Sequence, residues 1–318
     1  GGTAADAMVA AQAVLGLVEP QSSGLGGDGF VVYYDAASGN VTTYDGQAKA
    51  PAAATPDRFD YAQDNFVLAW QSGPSVGVPG MVALMEAVHA QRGSMDWSPL
   101  FDDAIDLATN GFELTARTSD LISALIDFSQ GCNNRTLFFR DDAFFDYFLY
   151  ANCTAKPTGT LMKNMDYAET LREIAECGAD GFYAGPIAEA IAAAVQGDSS
   201  VPGDMTVEDL GNYSVIERET VCGKFQDYEV CGMGPPSTGG IAVAQILGIL
   251  DQFPNDCEPL DAEFVHLFTQ ANRLAFSDRS YVGDPDFVSV PTEGLIDPLY
   301  ISERAALVNL TDDTVYEV

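Results

Sequence analysis

Between the strand-like run Tyr228–Cys231 and the apolar helical run Gly239–Leu250 stands Gly234-Pro235-Pro236-Ser237-Thr238-Gly239-Gly240-Ile241. Two prolines offer no N–H to a sheet ladder, and the hydroxyls behind them favour a helix start. The stretch therefore closes a strand and opens a helix, and the strands expected near both ends of the chain, with helices between them, suggest a layered α/β domain. A second tight turn, Asp284-Pro285-Asp286-Phe287-Val288, follows the helical run Ala262–Tyr281. Two roles are open for Gly234–Gly240: a structural turn in which Ser237 or Thr238 caps the helix that opens at Gly239, or a pocket lined by these hydroxyls and the N–H groups of the helix start.

The rest of the chain fits around these two stretches. Thr3 is placed to cap a helix over about Ala4–Val18, which Glu19-Pro20 ends. Period-two runs predict strands at Phe30–Tyr34 and Val41–Tyr44, joined by the polar turn Ala36-Ala37-Ser38-Gly39. Helical patterns recur at Pro79–Arg92, Ser98–Thr109, Thr115–Phe128, Tyr167–Cys177 and Pro186–Val195, and Thr206-Val207-Glu208-Asp209 reads as a capping sequence. One strand is expected over Ser214–Gly223 and another at Tyr228–Cys231. The organisation is one α/β domain over residues 1–318, with a mainly helical excursion at about 80–200. Its strands are too few to close a sheet without further partners.

The hairpin expected around Gln226-Asp227 carries a covalent consequence. Counting outward from a two-residue turn pairs Cys222 with Cys231 at a non-hydrogen-bonded site, where Cα atoms lie ~4.5 Å apart, within disulfide range. Cys132 and Cys153 flank the aromatic-rich insertion Leu137–Tyr150 and are placed to staple it, while Cys177 and Cys257 have no evident partner. No Cys-x-x-Cys or Cys/His cluster suggests zinc. Sequons at Asn40, Asn134, Asn152, Asn212 and Asn309 add to the disulfide signal for a secretory route. The resulting expectation is a secreted or extracytoplasmic protein, surface-attached where a preceding segment supplies an anchor. The net charge of -33, from 47 acidic and 14 basic residues, repels nucleic acid and anionic membranes, and no apolar run is long enough for a membrane span.

Gly24-Leu25-Gly26-Gly27-Asp28-Gly29 matches the dinucleotide-binding string G-x-G-x-x-G only formally. That site needs a strand before the loop and a helix after it, so that the helix N-terminus meets the pyrophosphate. Here the helical run precedes and the strand follows, which favours a tight turn. His89 and His266 lie in helical patterns, and no Gly-x-Ser-x-Gly elbow accompanies them. Asp278-Arg279 is expected to be an internal ion pair at a helix end.

Taken together, Gly234–Ile241, Asp284–Val288 and Gly24–Gly29 resemble the large subunit of gamma-glutamyltransferase-type N-terminal-nucleophile hydrolases. The likeness is co-linear from Gly1-Gly2-Thr3-Ala4-Ala5-Asp6-Ala7 to the Ala305–Asn309 region. It implies a four-layer α-β-β-α sandwich of which this chain is the large-subunit part. It also implies an acyl intermediate on a Thr that opens a separate small subunit after self-cleavage. The chain stops at Val318 before such a residue, so no catalytic residue is expected within it and the chain alone should be inactive. The implied partners are the small subunit and a small-molecule γ-glutamyl or other amide donor, glutathione being the usual one, and no metal or organic cofactor is implied. Within Asp45-Gly46-Gln47-Ala48-Lys49-Ala50-Pro51 the family carries an Arg two residues after the Asp, clamping the donor's α-carboxylate as a planar, bidentate partner. Gln47 stands there instead, without charge, and Lys49 lies two residues on, on the same face of an extended segment. Gln47 and Lys49 are the substrate-binding candidates. Two alternatives stay open: an amide acylase for another acyl group, and a non-catalytic secreted glycoprotein of the same fold.

Overall fold

The computed structural model describes residues 1–129, 131, 142–254 and 260–311 and divides into two compact units. The first comprises Gly1–Gly29 and Gly46–Val215, the second Phe30–Asp45 and Ile216–Val318.

The first unit is mainly helical. Thr3 and Asp6 form a capping box at the start of the Ala4–Val18 helix, satisfying N–H groups that have no partner within the helix. Every fourth residue, Ala5, Val9, Ala13 and Leu17, is buried, and Val9 and Ala13 share a core with Val82 and Met85 of the Met81–Arg92 helix. Trp97 closes this core, its indole N–H donating to the Ile174 carbonyl at 2.8 Å and its ring meeting Phe101 edge-on at 4.9 Å. A second cluster gathers Leu17, Phe112, Leu114, Phe145, Phe148 and Met162 around the short antiparallel pair Phe112–Glu113 and Leu161–Met162.

Asp6 does more than cap. Its buried carboxylate accepts from the Thr3 N–H at 2.6 Å and from the Ser94 N–H and hydroxyl at 3.1 Å each. These donors, the Thr3 N–H foremost, hold its pKa well below the usual carboxylate range despite the opposing effect of burial. A depressed carboxylate pKa contributes stability that is complete above the unfolded value of about 3.9 and is lost as pH falls through the folded value. Urea midpoints of wild type and Asp6→Asn should therefore lie far apart at neutral pH and converge as pH drops below about 4. A gap that stays constant down to the acid limit would show that the Asp6 charge contributes nothing.

The second unit contains a three-stranded sheet with Asn40–Gly46 between Gly29–Asp35 and Ile216–Arg218, and a separate hairpin. In the hairpin, Val221–Phe225 pairs with Tyr228–Gly232 around Gln226-Asp227, and Cys222 faces Cys231 in a disulfide with Cα atoms 4.1 Å apart. Cys153 is disulfide-bonded, Cys177 is a free, exposed thiol, and Cys132 and Cys257 lie outside the described residues. The Gly239–Leu250 helix lies close on the hairpin because a Cβ on Gly232 would stand 2.9 Å from the Gly240 Cα. Its other face joins the Ala262–Ser277 and Pro298–Ala305 helices through Ile249, Ala271, Leu274 and Ile301.

Two expectations are corrected here. Ser214–Gly223 is not one strand: Ile216–Arg218 pairs with Thr43–Asp45, whereas Val221–Phe225 belongs to the hairpin. The chain changes sheets at Glu219-Thr220, where the Glu219 carbonyl would lie 2.4 Å from a Cβ on Gly234. Nor does Asp278 pair with Arg279. Among the described residues its ionic partner is Arg304 at 3.2 Å, and Arg279 is exposed. Asp278 also accepts from Gln245 Nε2 at 2.8 Å and from the Tyr300 hydroxyl at 2.9 Å, so it joins three helices in the core.

Candidate functional site

In the first unit, the segment from Gly46 to Pro51 is held by backbone hydrogen bonds at Gln47, Ala48 and Lys49 and at the following Ala52. Lys49 and Val78 exchange backbone hydrogen bonds, Lys49 N–H to Val78 at 3.2 Å and Val78 N–H to Lys49 at 2.7 Å. Asp209 accepts from the Ala52 N–H at 2.8 Å while it also caps its own short helix with Thr206. That Ala52 N–H is the main cause of a lowered Asp209 pKa, so the anchor is an ionised carboxylate.

The peptide between Gln47 and Ala48 is fixed at both of its polar atoms. The Tyr213 hydroxyl donates to the Gln47 carbonyl at 2.8 Å, and the Ala48 N–H donates to Asp28 Oδ2 at 2.9 Å. Gln47 and Lys49 are both exposed. The Lys49 ammonium donates to the Ser214 carbonyl at 3.3 Å and lies 5.4 Å from the centre of the Tyr213 ring, within cation–π range. Tyr213 stacks on Tyr183 with centroids 5.7 Å apart and planes 6° from parallel. Tyr183 is itself buried, donates to the Pro79 carbonyl at 2.7 Å, and has its pKa raised by burial.

Gly24–Gly29 forms the tight turn that its flanking elements favoured. The Gly27 carbonyl accepts from Gly80 and Met81 N–H at 3.0 and 3.1 Å, satisfying the first donors of the Met81–Arg92 helix. The turn lines a cleft of 440 Å³ with Gln12, Gln21, Ser22 and Ser23. It also supplies Asp28 to the candidate segment.

In the second unit, the Asp284–Val288 turn is anchored by Arg218. Its guanidinium holds Asp286 in a bidentate pair at 2.6 and 3.0 Å and reaches Asp45 Oδ2 through Nε at 3.0 Å. Asp284 stands 3.6 Å away, and the Arg218 side chain is 11% exposed. The Asp286 hydrogen bonds are the foremost cause of a raised Arg218 pKa. The Asp-Pro-Asp turn is legible in the sequence, whereas Arg218 carries no motif there. The available signal was a rare cation inside a strand of a strongly acidic chain. At Gly234–Gly240 the hydroxyl that engages the helix start is Ser237, whose Oγ accepts from the Gly239 N–H at 3.2 Å, whereas Thr238 makes no side-chain cap bond. His89 Nε2 meets the Met95 carbonyl and lies 3.4 Å from Asp6 Oδ1, and His266 Nε2 meets the Asn309 carbonyl, so both rings make structural contacts. No helix among the described residues is long and apolar enough to cross a membrane.

Comparison with known proteins places these features in a family. The gamma-glutamyltranspeptidase family model matches residues 1–317. The chain is similar to a glutathione hydrolase proenzyme of Bacillus subtilis, 37% identical over 317 residues, covering 98% of this chain and 51% of the relative. It is 30% identical to the acylase ACY 1 proenzyme of a Pseudomonas species over 320 residues, covering 97% of this chain and 54% of that protein. Among solved structures, the Helicobacter pylori gamma-glutamyltranspeptidase superposes with a TM-score of 0.87 at 33% identity, covering 99% of this chain and 87% of that one. The chain spans about half the length of the curated relatives it matches.

Proposed function

Because this chain belongs to the gamma-glutamyltranspeptidase family, we propose that it is the large-subunit part of an enzyme that hydrolyses or transfers γ-glutamyl groups of glutathione-type donors. The observation that carries this reading is the family match over residues 1–317. The α/β chain would be one portion of a four-layer α-β-β-α sandwich, with a small subunit adding strands. That subunit would supply the Thr nucleophile after self-cleavage. The Thr hydroxyl would attack the donor's γ-carbonyl while the Thr α-amine takes up its proton. The resulting α-ammonium would return that proton to the donor's own amine, which leaves as the C–N bond breaks; water or an amino compound, losing its proton to the α-amine, would then attack the acyl-enzyme and free the Thr. Residues 1–318 alone would have no turnover. Exposed Asn40, Asn152 and Asn212 suit a glycosylated, extracytoplasmic protein.

Gln47 and Lys49 are the proposed donor contacts. Gln47 stands where the family resemblance expects a carboxylate-clamping Arg, and the rigid backbone around it supports a positioning role. Lys49 is the nearby cation in this segment. In the complete, matured protein, Gln47→Arg should raise kcat/KM for a γ-glutamyl amide by about tenfold or more, and Lys49→Ala should lower it about threefold to tenfold. If neither substitution moves that ratio, the donor's carboxylate is held elsewhere.

A second reading, an amide acylase for acyl groups lacking an α-carboxylate, is favoured by the uncharged Gln47 and by the acylase relative. A butyryl amide with the same leaving group separates the two, since only the acylase would prefer it to the γ-glutamyl amide. A non-catalytic glycoprotein would turn over neither.

A further inference from the structure

The Gln47–Ala48 peptide is anchored in a way its surroundings do not require. Both residues are exposed, so water could satisfy this N–H and C=O without cost. The fold already secures the chain that follows through the Lys49–Val78 exchange and the Ala52–Asp209 bond. Yet two side chains from distant parts of the chain are committed to this one peptide: Tyr213 at its oxygen and Asp28 at its nitrogen. Bonds at both polar atoms fix the plane of this peptide, and with it the ψ of Gln47 and the course of the backbone that carries the Gln47 side chain.

Tyr213 is in turn held on several sides. Its ring stacks on Tyr183, its face carries the Lys49 ammonium, and its hydroxyl would lie 2.1 Å from a Cβ on Gly80. One aromatic side chain thus sets both candidate donor contacts, Gln47 through the main chain and Lys49 through the ring. We propose that Tyr213, with Asp28 at the other end of the same peptide, is the positioning residue for donor specificity in this protein. The inference rests on the reading of Gln47 as a donor contact. Tyr213 does not touch the reacting atoms; it acts by fixing where residue 47 points.

The experiment is a double-mutant cycle between Tyr213→Phe and Gln47→Arg in the complete, matured enzyme, with γ-glutamyl-4-nitroanilide as donor. Phe keeps the ring for Tyr183 and Lys49 and removes only the hydroxyl. Tyr213→Phe should raise KM about threefold to tenfold, the size of one lost hydrogen bond, with kcat and thermal midpoint nearly unchanged. The gain from Gln47→Arg should shrink several-fold in the Tyr213→Phe background. A full gain in both backgrounds overturns the positioning role and leaves the donor site standing. No gain even with Tyr213 intact overturns the donor-site reading, and this inference with it. A Tyr213→Phe protein that only melts earlier, with KM unmoved, shows a purely structural tyrosine. If that variant does not accumulate, Asp28→Ala tests the other end of the peptide with the same expectations.

Discussion

Asp278→Ala is expected to destabilise the protein by about 3–5 kcal/mol, the range for removing one partner of a buried ion pair. Asp278 is 2% exposed and collects the Arg304 guanidinium, the Gln245 amide and the Tyr300 hydroxyl. Truncation leaves the buried Gln245 amide and the half-buried Tyr300 hydroxyl and Arg304 guanidinium without this acceptor, and the Arg304 charge loses its counterion. The second bond of Gln245 Nε2, to the Leu295 carbonyl at 2.9 Å, survives, and so does the bond from Arg304 to the Leu274 carbonyl at 2.7 Å. Neither carbonyl supplies the lost negative charge. Asp278→Asn should fall between wild type and Ala, because an amide oxygen still accepts but does not neutralise Arg304. Urea or thermal midpoints decide the matter. A loss below about 1 kcal/mol would place this pair with exposed salt bridges and remove it as the organiser of the second unit.

The same cluster marks the limit of what a sequence discloses. Adjacent Asp278 and Arg279 suggested a local ion pair, yet the partner came from another helix, 26 positions from Asp278. Arg218 tells a similar story: its partners Asp45 and Asp286 lie 173 and 68 residues away, with nothing in the local pattern to announce them. Features governed by short-range rules were legible. The Thr3 cap and the capping box at Thr206 follow from residues within one turn, and the Cys222–Cys231 pair follows from counting outward from a two-residue turn. The break at Glu219-Thr220 was not legible, because alternation runs on through a point where the chain changes partners. Nor were the Phe66–Trp70 and Asp142–Phe148 helices, which are too short for a clear period. At the candidate site, resemblance alone singled out Gln47 and Lys49. Tyr213 bonds Gln47 across 166 positions and carries no motif.

Gly80→Ala should be the most damaging small substitution near the candidate site. Gly80 has φ of -109° and ψ of -13°, so its backbone does not demand glycine; the space does. A Cβ there would stand 2.0 Å from the Gly46 carbonyl oxygen and 2.1 Å from the Tyr213 hydroxyl. Neither neighbour yields cheaply. The Gly46 oxygen is backbone at the start of the donor segment, and Tyr213 is held by the Tyr183 stack and by its bond to Gln47. Overpacking of this kind costs about 1–3 kcal/mol. A functional loss should accompany the loss of stability, because the displaced atoms are the ones that set the Gln47–Ala48 peptide. The expected result in the complete enzyme is a fall in kcat/KM of more than about tenfold for a γ-glutamyl amide, carried mainly by KM. Gly294→Ala is the control, since a Cβ there meets nothing within 4 Å. Wild-type kinetics in a folded Gly80→Ala protein would mean the segment absorbs the added methyl without moving Gln47. The tight contact between Gly46, Gly80 and Tyr213 would then have no bearing on donor recognition.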